Sequence, residues 1–97
     1  MINTKKKYIC SGYYEESMID EEMLLIPKNT CVEAVKVLVL NEMSIIIWEE
    51  LIKKNSTIEN TLNKLLDIYE IDKESLLSDI DHLVSLLLQY NVCYEIK

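Results

Sequence analysis

The sequence predicts an α+β domain in which three short antiparallel strands precede three helices. Three observations carry that expectation. Apolar and β-branched residues run in short strand-like stretches up to Asn41 and recur with a helical period after it. Pro27 and turn-prone residues punctuate the first half. Residues suited to helix caps, Ser56 and Asp72, stand ahead of apolar stripes in the second.

Tyr13 to Ile19 reads as the first strand, closed by an acidic turn at Asp20-Glu21-Glu22. Met23 to Ile26 reads as the second, stopped by Pro27 and by Lys28-Asn29-Thr30. Val32 to Leu40 is rich in β-branched residues and reads as the third. On a period of two, Lys36, Leu38 and Leu40 share one face and Val35, Val37 and Val39 the other, so both faces are largely apolar.

Met43 to Lys54 is the first helix, with Met43, Ile47, Trp48, Leu51 and Ile52 as its apolar stripe. Ser56-Thr57-Ile58-Glu59 forms a capping box for a second helix from Thr57 to about Tyr69, burying Ile58, Leu62, Leu65, Leu66 and Tyr69. Asp72 is a suitable N-cap for a third, Lys73 to about Tyr90. The alternating Val92–Ile96 tail either adds a short strand or packs against the core. Short connections between the helices fit a winged helix-turn-helix arrangement. Residues 1–7 are polar and basic and are expected to form a flexible tail, with 8–97 as a single domain.

A chain of 97 residues supports one core but not a core plus an enclosed substrate cavity. No apolar run approaches the roughly 20 residues of a membrane span, and no stretch of signal-peptide length follows Lys5-Lys6-Lys7, so a cytoplasmic location without membrane contact is expected. The net charge of −7 sets 17 carboxylates against 10 lysines, with no arginine. Nucleic-acid affinity rests on neutralising phosphates, so such a chain is a poor nucleic-acid binder. Its acidic surface keeps it soluble or attracts a basic partner.

Catalytic chemistry finds little support. Gly12 is the only glycine, which excludes phosphate-cradling loops. His82 is the only histidine, and Cys10, Cys31 and Cys93 contain no CxxC pair, so neither a metal site nor a disulfide framework is suggested. The thiols are expected to be reduced and structural. Asp79 and Asp81 point about 200° apart on a helix and cannot act as a paired acid and base. No enzyme activity and no cofactor are expected.

The third helix stands out instead. Leu76, Ile80, Leu83 and Leu87 make one stripe, which Leu77, Val84, Leu88, Leu86 and Tyr90 widen. The apolar arc reaches about 200°, against the ~100° of an ordinary surface helix. A strand apolar on both faces beside such a helix suits a groove that receives an added peptide strand.

Specific residues then carry a resemblance. Leu40-Asn41-Glu42, followed by Ile47-Trp48 and Leu51, is similar to the Leu-Asn-Glu…Ile-Trp-x-x-Leu signature of PqqD-like proteins. Thr57-Ile58-Glu59, Leu62, Leu66, Tyr69, Asp79 and Leu87 follow at matching intervals, and Glu22 to Pro27 resembles the second strand of one branch. The likeness spans roughly residues 12–94. Departures fall at Asp20-Glu21, where relatives usually carry glycine, and at Met43-Ser44.

The resemblance implies a recognition element of ribosomally made, modified peptides. In such proteins the leader of the precursor peptide pairs with the third strand and docks on the third helix, for a modifying enzyme such as a radical SAM enzyme or a leader protease. The implied lining is Val35, Lys36, Val37, Leu38 and Val39 on the strand, with Leu76, Ile80, Leu83, Val84 and Leu87 on the helix. Asn41 is implied to end the strand and cap the first helix, and Trp48 to anchor the core. Two other readings compete: a winged-helix DNA-binding regulator, disfavoured by charge, and a structural subunit that forms a homodimer through the same helix face.

Overall fold

Asn41 marks the change from strand to helix, where the sequence places it. The computed structural model describes residues 5–28 and 36–96. Strands β1 (Lys7–Cys10), β2 (Tyr14–Ile19), β3 (Glu22–Pro27) and β4 (Leu38–Leu40) come first. Helix α1 (Glu42–Ile47), with a π-helical continuation over Trp48–Lys53, then leads to α2 (Ile58–Ile68), α3 (Lys73–Gln89) and a last strand, β5 (Cys93–Ile96). The class is α+β, with three helical segments among the described residues. The first part of the expected third strand, up to Val35, lies outside the described residues.

Two sheets form. β2, β3 and β4 make an antiparallel sheet in that order, and β1 pairs with β5 in a separate ribbon. The ribbon corrects the three-strand expectation: Lys7–Cys10 is too short and mixed to stand out in sequence, and its partner lies at the other end of the chain. The β2–β3 hairpin turns through Asp20-Glu21, with Asp20 at φ 56°. Aspartate tolerates this left-handed conformation, so the turn forms without the glycine usual in relatives.

Asn41 caps α1 by accepting the Ser44 amide at 2.9 Å, and Asp72 caps α3 through the Ser75 amide at 3.0 Å. The expected capping box is corrected by one residue. Thr57, not Ser56, is the N-cap of α2 and accepts from the Asn60 amide at 3.1 Å. The Ser56 amide is engaged with the Glu50 carbonyl of the preceding helical segment, so the chain leaves that segment one residue later. Asn55 makes this exit at φ 53° and donates its side-chain amide to the carbonyls of Tyr8 and Ile52. It thereby ties β1 to the end of the first helical segment.

A single core joins the layers. Met23, Leu25, Leu38 and Leu40 supply the sheet face; Ile47, Trp48, Leu51 and Ile52 the first helical segment. Ile58, Leu62 and Leu65 come from α2, Leu76, Ile80, Leu83, Val84 and Leu87 from α3, and Tyr8, Val92 and Cys93 from the ribbon. Of the residues expected inside α2, Leu66 is exposed and Tyr69 half-buried, while Thr61 is buried and donates its hydroxyl to the Thr57 carbonyl at 2.9 Å. Trp48 is buried and donates its indole N–H to Glu16 at 3.0 Å. Among the described residues, no helix is long and apolar enough to cross a membrane.

Candidate functional site

The outer edge of β4 follows from the hydrogen-bond alternation of its sheet. The Lys28 amide donates to the Tyr13 carbonyl at 2.9 Å, which makes these opposed residues a hydrogen-bonded pair. Alternation then aims the peptide groups of Leu24 and Ile26 at β2 and those of Met23 and Leu25 at β4. Leu40 and Leu38 stand opposite Met23 and Leu25. The N–H and C=O groups of Val39 therefore point away from β3, and Val37 stands one residue before the strand. No strand covers this edge among the described residues.

The side chains divide in the same way. Leu38 and Leu40 are buried, whereas Val37 is 47% and Val39 56% exposed. An exposed β-branched pair on an open strand edge is a template for another strand.

A groove of about 690 Å³ opens beside this edge. Val39 lines it from β4; Asn41, Glu42, Met43, Ser44 and Ile47 from the start of α1; Tyr69 from the end of α2; and Asp79, His82, Leu83 and Leu86 from α3. The Tyr69 hydroxyl donates to Glu42 at 3.4 Å. Burial, with the charge of Glu42 and this hydrogen bond, raises the Tyr69 phenol above its ordinary pKa and keeps it a donor at neutral pH. Glu42 and Asp79 are the carboxylates of the lining, and no lysine is among it. The groove can take apolar side chains on Val39, Met43, Leu83 and Leu86, and a cationic one between its walls.

The structure sorts the residues expected to line the site. Val37 and Val39 lie on the edge, and Val39 and Leu83 border the groove. Val35 lies outside the described residues. Lys36 is exposed, with its ammonium 5.3 Å from the centre of the Tyr90 ring, a cation–π contact that pins the strand entry to the end of α3. Leu38, Leu76, Ile80, Val84 and Leu87, expected in the same lining, are buried in the core. On α3 the core claims the stripe centred on Ile80, so the groove receives the flank at Asp79, His82, Leu83 and Leu86.

Residues missed as lining had left signals. Asn41, Glu42, Tyr69 and Asp79 belong to the resemblance, and Leu86 to the overwide arc of α3. His82 gave none beyond its neighbour three residues back, Asp79. No group of three or more metal-ligating side chains occurs among the described residues.

A three-helix α+β domain with an open strand edge beside a helix-walled groove is a winged-helix domain suited to taking up an extended segment. The chain belongs to the PqqD family: the sequence model of coenzyme PQQ synthesis protein D (PqqD) matches residues 21–92, well over half of its length. The fold is also similar to a solved structure described as TbiB1 in complex with the TbiA(beta) leader peptide. That match has a TM-score of 0.71, covers 87% of this chain and 92% of the other, and has 18% sequence identity. No curated protein shows significant sequence similarity.

Proposed function

We propose that this protein is a non-catalytic recognition domain that binds the leader of a ribosomally made precursor peptide and presents it to a modifying enzyme. The carrying observation is the outward-pointing peptide groups of Val39, with the exposed Val37 just before the strand, beside a groove walled by α3. Family membership, and the leader peptide bound to the structurally similar TbiB1, support the same reading. The leader adds as a strand along β4, its backbone held by Val37 and Val39 and its apolar side chains seated on Met43, Leu83 and Leu86. The partner enzyme, a radical SAM enzyme or a leader protease, performs the chemistry. Holding one end of the substrate raises the effective concentration of the other at that enzyme's active site.

Titration with the leader of the precursor encoded beside this protein, followed by amide NMR, tests the reading. Saturable shifts are expected at Val37–Asn41 and Asp79–Leu86. Val37→Pro removes the amide donor just before the ladder to β3, so it abolishes binding while the fold persists. Undiminished affinity in the folded variant would exclude strand addition. The same free edge suits pairing with a second copy, and a dimeric mass that the leader does not dissociate would favour that reading.

A further inference from the structure

The β1–β5 ribbon places two free cysteines opposite each other. Cys10 and Cys93 are partners in its register, so their side chains leave the same face of the ribbon. The next pair along, Ser11 and Val92, is joined by a hydrogen bond from the Ser11 amide to the Val92 carbonyl at 3.0 Å. Since hydrogen-bonded and non-hydrogen-bonded pairs alternate in an antiparallel ladder, Cys10 and Cys93 occupy a non-hydrogen-bonded pair. Such pairs hold their Cα atoms about 4.5 Å apart, inside the roughly 4.4–6.8 Å range of disulfides. Cys93 is buried and Cys10 exposed.

We propose that Cys10 and Cys93 are a modification site: a reversible cross-strand disulfide formed by exchange with a low-molecular-weight disulfide such as oxidised glutathione. The exposed Cys10 loses its proton, and its thiolate attacks the small disulfide. One thiol is released, and a mixed disulfide forms on Cys10. Cys93 then loses its proton and attacks the Cys10 sulfur, releasing the second thiol and closing the bond. Two protons and two electrons leave the protein, and the small disulfide is reduced to two thiols. Burial, then the charge of Cys10, push the Cys93 thiol up to about 12, and burial also raises that of Cys10. The thiolate is the attacking species, so closure is slow near neutrality and quickens as pH rises. The bond staples the first strand to the last across almost the whole chain.

The test is incubation of the full-length protein with oxidised glutathione at several pH values, read by intact mass and by peptide mapping without reduction. Cys31→Ser serves as the principal variant, because it leaves both cysteines of the pair in place. The expected result is loss of the mass of two hydrogens, a linked peptide pair containing Cys10 and Cys93, faster closure at higher pH, and reversal by dithiothreitol. Cys10→Ser should show no such loss when Cys31 is also replaced. A folded Cys31→Ser protein that stops at a glutathione adduct on Cys10, or stays fully reduced, would overturn the proposal. So would linkage found only through Cys31 in the unsubstituted chain.

Discussion

Asn55 shows how much one residue can hold. It adopts φ 53° to end the first helical segment, and its side-chain amide reaches the carbonyls of Tyr8 and Ile52. Asn55→Ala combines the cost of a left-handed backbone with two lost hydrogen bonds. The expected destabilisation is about 2 kcal/mol, measured by urea unfolding. Asn41→Ala removes the α1 cap and should cost about 1 kcal/mol in the same experiment. Asp72 adds a pH dependence. Hydrogen bonds from the Ser75 amide and hydroxyl lower its carboxyl below the ordinary value of 3.8. A depressed folded-state pKa contributes stability above the unfolded value, which is lost as pH falls through the folded one. The stability difference between the parent and Asp72→Ala should therefore be full at pH 6 and shrink steadily below pH 4.

Helix α3 tests the division between core and groove at the scale of an element. Leu76→Ala empties a fully buried position and should destabilise by about 2–5 kcal/mol. Leu86→Ala, on the half-buried groove flank, should destabilise less than Leu76→Ala and weaken leader binding several-fold by calorimetry. Equal effects of both substitutions on stability would mean that Leu86 belongs to the core. Much of this helix was legible in the sequence: its cap at Asp72, its length and its overwide apolar arc. Which flank met the core was not, because that depends on the direction from which β4 and α1 approach. The π-helical turn over Trp48–Lys53 left no signal, since Trp48, Leu51 and Ile52 satisfy an ordinary helical stripe equally well. β1 was invisible for another reason. Four residues carry too little period to register, and the partner that makes them a strand is supplied by Cys93–Ile96.

Across the whole molecule, charge discriminates between the uses of a winged-helix fold. Several of the surface lysines already serve carboxylates: Lys6 pairs with Glu95, Lys53 with Glu16, and Lys54 and Lys64 with Glu50. With a net charge of −7, the chain should not shift the anisotropy of labelled duplex DNA even at low salt, where phosphate contacts are strongest. Binding that weakens steeply with added salt would revive the regulator reading. The ribbon that closes the domain also sets the order in which it can be completed during synthesis. Tyr8 stands opposite Glu95, so β1 leaves the ribosome long before anything exists for it to pair with. Closing so long a loop comes late, after the helices and the β2–β3 hairpin have formed from nearby contacts. Until β5 emerges the ribbon stays unmade, while β4 already has β3 beside it. The β3–β4 pairing that presents the open edge can therefore form before the ribbon closes the domain.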